Sequence, residues 1–204
     1  MKKSLLLLLL SALGLAAFGQ KTKLDKTRPL TWLGIDYSQL RFIGTATQYK
    51  DAGEISNEKL SGTYFKAWND LVLNEPDKYD LKKATGFKQV EMAPGVTEAV
   101  NDNSRNTDFF TEDPGQFQHL SEADIQNLVR QYDYGSRSGT GLAFIVAGMD
   151  KGREAASIWV AFVDMDSKNL LAAKNYVSKA GGFGFRNYWA GAIHKTLKEM
   201  KGDF

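Results

Sequence analysis

Residues 142–177, LAFIVAGMDKGREAASIWVAFVDMDSKNLLAAKNYV, decide how this chain folds. Three strand-like runs, 142–147, 157–163 and 170–177, are separated by Gly148-Met149-Asp150-Lys151-Gly152 and by Asp164-Met165-Asp166-Ser167-Lys168-Asn169, connections short enough for hairpins. In the middle run Ile158, Val160 and Phe162 take one face while Trp159, Ala161 and Val163 take the other. Apolar side chains on both faces predict a strand covered from both sides, paired antiparallel to its two neighbours.

Outward from this meander the chain alternates. Gly181-Gly182-Phe183-Gly184-Phe185 turns into a helix over 186–201, with Tyr188, Trp189, Ala192, Ile193, Leu197 and Met200 available to pack on the sheet. Upstream, Ser121 and Asp124 fit a capping box ahead of Ile125, Leu128, Val129 and Tyr132, a helical stripe over 121–132. Leu60, Tyr64, Phe65, Trp68, Leu71 and Val72 make a second stripe over 57–74, which Pro76 terminates. Residues 32–43 read as one strand interrupted by Asp36, residues 87–92 as a short strand and 96–100 as a short helix. The order β-α-β-α-α-β-β-β-α predicts an α+β fold: helices packed on a mostly antiparallel sheet that ends in a three-strand meander.

The N-terminus reads as a signal peptide. Lys2 and Lys3 precede an uncharged apolar run from Leu5 to Phe18, too short to span a bilayer, and Ala17-Phe18-Gly19 has the small-x-small spacing of a cleavage site. Residues 1–19 are thus expected to be removed, leaving 20–204 as a single domain in the periplasm or outside the cell. With no cysteine there is no disulfide, thiolate chemistry or lipid attachment, so no membrane anchor is expected after cleavage. Loss of Lys2 and Lys3 reduces 26 basic residues to 24 against 24 acidic ones, and zero net charge offers nucleic acid no general attraction.

Few residues suggest chemistry. Residues 181–189 run from strand through glycines to a helix start, an order that suits either a tight turn or an anion site built from Gly182, Gly184, Arg186 and Asn187. There is no Gly-Lys-Ser/Thr and no complete dinucleotide fingerprint, so no cofactor is expected. Asp164, Asp166 and Asn169 resemble a fragment of a calcium loop but lack its glycine and distant glutamate. A hairpin turn is the better reading, and no metal is expected. His119 and His194 fit no nucleophile motif. Asp36, between Ile35 and Tyr37, either points to solvent from an edge strand or sits in a polar network. Phe109 and Phe110, in the polar stretch 101–116, are candidates for a partner contact from a surface loop.

The run FIVAGMDKGREAASIWVAFVDMDSKNLLAAKNYVSKAGGFGFRNYWAGAIHKTL resembles an uncharacterised family of secreted bacterial proteins. By order of elements the chain is also similar to the small α/β domain shared by the curli-secretion channel lipoprotein, the lipoprotein activators of penicillin-binding proteins and the N-terminal domain of the Tol translocation protein. The resemblance implies a binding or scaffolding domain of the envelope and supplies no functional residues. The expectation is a noncatalytic exported module that binds an envelope protein or a cell-wall component. The alternative is a small-ligand binder or enzyme with a pocket near Asp36, Arg186 and Asn187.

Overall fold

The computed structural model describes residues 24–44 and 55–204, so the expected signal peptide lies outside the described residues. One seven-stranded mixed sheet forms the middle layer. Its long strands are β5 (Thr140–Asp150), β6 (Ala155–Asp164) and β7 (Asn169–Lys179), an antiparallel meander. β6 lies between the other two along its length, with both faces largely buried.

The remainder corrects the expectation of a mostly antiparallel sheet. β1 (Leu30–Asp36), β2 (Arg41–Ile43), β3 (Val90–Met92) and β4 (Phe110–Thr111) all run parallel with β5, in the order β3-β1-β5-β2-β4. The fold is therefore α/β-like. The physical reason is the connections: hairpins give antiparallel pairs, but β1 runs on into β2 through a short turn without reversing, and the links from β2 to β3, β3 to β4 and β4 to β5 each carry a helix, crossovers that return the chain in its original direction. All seven residues of β1 are buried, as are all those of β5 after Thr140, as parallel strands covered on both faces require.

The strand expected over 32–43 is two strands. Both pair with the same edge of β5, β1 with its first half and β2 with its last three residues. Between them, the Ser38 N–H donates to Asp36 Oδ1 at 2.7 Å and the Leu40 N–H to the Tyr37 carbonyl at 3.0 Å, an Asx turn that ends β1.

Helices cover both sheet faces. On one side lie α1 (residues 57–74), α2 (Leu81–Thr85) and α5 (Phe185–Glu199), whose Trp68, Leu71, Leu81, Trp189 and Ile193 meet Trp32, Phe42, Phe144 and Phe162 in the main core. On the other side lie α3 (Gly95–Asn103) and α4 (Glu122–Gln131), whose Val96, Ile125 and Val129 meet Leu33, Ile145 and Val163. The capping box read from Ser121 and Asp124 is formed, with Ser121 N–H donating to Asp124 at 2.8 Å. Within α1, Leu60–Tyr64 is π-wound, and Tyr64 packs edge-on against Phe185 with centroids 4.6 Å apart. No described helix is long and apolar enough to cross a membrane.

Candidate functional site

The turn from β7 into α5 projects one aromatic ring into solvent from a fixed base. Phe183 is 92% exposed, far more than any other large apolar residue described. Gly182 and Gly184 on either side have φ of 137° and 77°, conformations that residues with a Cβ rarely adopt. A Cβ on Gly182 would also stand 2.7 Å from the Asn187 carbonyl oxygen. The base is held by the Gly181 N–H donating to the Tyr188 carbonyl at 2.9 Å and by Ala180 N–H donating to the Glu154 carbonyl at 2.7 Å. Gly191 lets the loop approach α5, since a Cβ there would meet the Gly181 oxygen. Phe185 is buried against Phe42, Tyr64 and Trp68.

Arg186 and Asn187 are exposed beside this loop. The Arg186 carbonyl is tied down, accepting from Trp68 Nε1 at 2.8 Å, while its guanidinium approaches Asn187 Oδ1 at a long 3.5 Å. Lys151 from the β5–β6 turn lies 3.8 Å above the Tyr188 ring, a cation–π contact. Gly184 caps α5 without a side-chain hydrogen bond. The arrangement is a projecting phenyl ring on a turn that leads into exposed Arg186, with Lys151 seated on the Tyr188 ring of the same helix.

Asp36 is elsewhere. It is fully buried, accepting from Tyr132 Oη at 2.5 Å and from Ser38 N–H at 2.7 Å. Tyr132 belongs to the α3/α4 side of the sheet, whereas Arg186 is fastened to Trp68 on the α1/α5 side. The pocket imagined from Asp36, Arg186 and Asn187 is not assembled, because the sheet separates them. Although β3 leaves β1 at Trp32, Asp36 is fully buried and hydrogen-bonded, so the polar-network reading describes it and the solvent-facing reading does not.

Burial raises the Asp36 carboxyl above the ordinary carboxylate range, although the bonds from Tyr132 and Ser38 pull the other way. Burial and the Asp36 charge push the Tyr132 hydroxyl well above its usual value, so this proton stays on the tyrosine. The folded chain thus keeps a proton on Asp36 at a pH where the unfolded chain has released it. The associated stability is present in full below the unfolded carboxylate value near ~3.9 and is lost as pH rises through the folded value. Wild type should therefore lose stability relative to Asp36→Asn as pH increases across that window, measured as urea midpoints. An unfolding difference independent of pH would contradict this.

A polar clasp that sequence reading missed fastens the upper half of β1. Asn69 Oδ1 accepts from the Ile35 N–H at 2.7 Å while its Nδ2 donates to the Ile35 and Phe65 carbonyls at 3.1 and 3.2 Å. Asn101 Oδ1 accepts from Tyr37 N–H at 2.7 Å and its Nδ2 donates to the Ile35 carbonyl at 2.9 Å. Thr97 Oγ1 donates to the Leu33 carbonyl at 2.9 Å. These side chains replace β3, which stops pairing with β1 at Trp32. A signal was present: Asn69 falls inside the apolar stripe of α1, four residues after Phe65.

Phe109 and Phe110 are not a loop tip. Phe109 is fully buried with its ring edge-on to Phe65 at 5.1 Å, and half-buried Phe110 is the first residue of β4, paired with Phe42 of β2. Asp164 and Asp166 turn their carboxylates to the chain's own donors at the surface: Asp164 accepts from Asp166 N–H and Ser167 Oγ, and Asp166 accepts from Gly139 N–H. Among the described residues no group of three His, Asp or Glu side chains is placed to hold a metal. His119 Nδ1 lies 2.8 Å from the Gln116 carbonyl, and His194 packs edge-on to Tyr79. No known protein family matches the chain, and no curated protein does.

Proposed function

We propose that this chain is an exported, noncatalytic module of the cell envelope that binds an envelope protein or cell-wall component through the Phe183 loop. The observation that supports it is the 92% exposure of Phe183 on a hydrogen-bonded, glycine-shaped turn. Leaving a phenyl ring in water forgoes about 1.5–3 kcal/mol that burial would contribute, and a ring so placed is suited to fill a pocket on a partner. Arg186 and Lys179 flank the loop and suit an acidic rim around that pocket. The weak likeness to envelope α/β domains agrees with this reading and adds no residue to it.

The test is site-specific photocross-linking in the native cell. A benzoylphenylalanine at position 183 should give a discrete adduct, whereas the same group at exposed Gln89 should give none. No adduct from 183, or the same adduct from both positions, would remove the loop from the proposal. The mass of the protein recovered from the envelope should correspond to a chain beginning at Gln20. Retention of residues 1–19 on a cytoplasmic protein would end the export reading.

A further inference from the structure

At the far end of α5 from Phe183, a cleft of about 320 Å³ opens between α5 and the segment that leads into and through α2. Lys78 and Lys83 line it from one side, and His194, Lys198 and Lys201 from the other. Asp77 and Asp80 are its acidic residues. Asp80 is already engaged as the cap of α2, accepting from the Lys83 N–H at 2.9 Å, and Lys78 is paired with Glu75 at 3.2 Å. Lys83, Lys198 and Lys201 form no ion pair among the described residues.

Lysines in the last turn of a helix complement its dipole, which accounts for the cations of each helix taken alone. It does not account for cations from two separate segments lining one concavity. The positive field reaches the histidine: burial first, then Lys198 and Lys78, lower the His194 pKa, with Glu75 opposing them. Tyr79 is the remaining titratable side chain against the ring.

We propose that the cleft between α2 and α5 binds a compact dianion of the phosphate class, held by Lys83, Lys198 and Lys201 with His194 as a further donor. All the fixed cations are lysines. An ammonium is a point charge that suits a tetrahedral dianion, whereas planar carboxylates are better matched by the arginine fork, which this cleft lacks. The volume suits a small anion or the terminal group of a larger one. This site does not depend on the Phe183 loop.

The experiment follows the His194 imidazole by NMR while inorganic phosphate is added at constant ionic strength, with sodium chloride as the matched control. Saturable shifts with a midpoint below about 1 mM are expected, together with a rise in the His194 pKa, because a bound dianion favours the imidazolium. The exposed pair Lys198→Gln/Lys201→Gln should weaken binding at least about tenfold and raise the His194 pKa in the absence of phosphate, while Lys88→Gln, outside the cleft, should change neither. Glycerol 3-phosphate serves as a second probe. Tighter binding than inorganic phosphate assigns a monoester-terminated ligand, and equal or weaker binding assigns free phosphate. Linear shifts with both probes to tens of millimolar, or an equal response in the Lys198/Lys201 variant, would overturn the proposal.

Discussion

Replacing Phe109 with Ala should destabilise the fold by about 3–5 kcal/mol, the range for truncating a buried phenylalanine. The ring has no exposure and packs edge-on to Phe65 at 5.1 Å. Its backbone is also engaged: the N–H donates to Asn57 Oδ1 at 3.0 Å and the carbonyl accepts from Phe42 N–H at 2.7 Å, which joins the start of α1 to β2. Loosening this residue therefore disturbs a helix and a sheet edge together. Phe110→Ala, at a half-buried position, should cost roughly 1 kcal/mol. Urea denaturation followed by far-UV circular dichroism measures both, and a Phe109→Ala loss below that of Phe110→Ala would show that the ring is not part of the core.

Asn69→Leu should cost about 2–4 kcal/mol although it adds apolar surface and nearly preserves volume. The Ile35 N–H is buried and its partner is the Asn69 amide oxygen. Leucine would leave that donor stranded on the side of β1 that β3 no longer covers, while the Ile35 carbonyl would retain Asn101. Thr97→Val removes one donor to the Leu33 carbonyl and should cost less, about 1–2 kcal/mol. Amide exchange separates the two causes of instability. If the clasp holds β1, exchange at Ile35 and Tyr37 should accelerate in Asn69→Leu more than exchange within β6. A uniform acceleration of all core amides, or an Asn69→Leu variant as stable as wild type, would show that the clasp does not hold β1.

The repeating patterns of the sequence determined the local elements. Three apolar runs joined by short polar links form β5, β6 and β7, because a hairpin leaves the chain no other way to pair. The stripes from Leu60 to Val72 and from Ile125 to Val129 are helices whose apolar sides meet the sheet. Asp36 was legible as an interruption of the strand, and its carboxylate does end β1. The glycines around Phe183 marked a turn, and two of them do have positive φ.

Tertiary structure alone decided the rest. Strand direction before β5 depends on where each crossover returns to the sheet, a long-range choice that no window of residues contains; hence four strands parallel to β5 where a mostly antiparallel sheet was expected. Burial of Phe109 follows from β4 pairing with β2 across more than sixty intervening positions, so the polar character of its neighbours was a poor guide. The separation of Asp36 from Arg186 follows from which face of the sheet each side chain meets, and the lysine cleft exists only because α5 packs beside α2. Periodicity encodes which side of an element is apolar, whereas the identity of what covers that side is set by packing among elements remote in the chain.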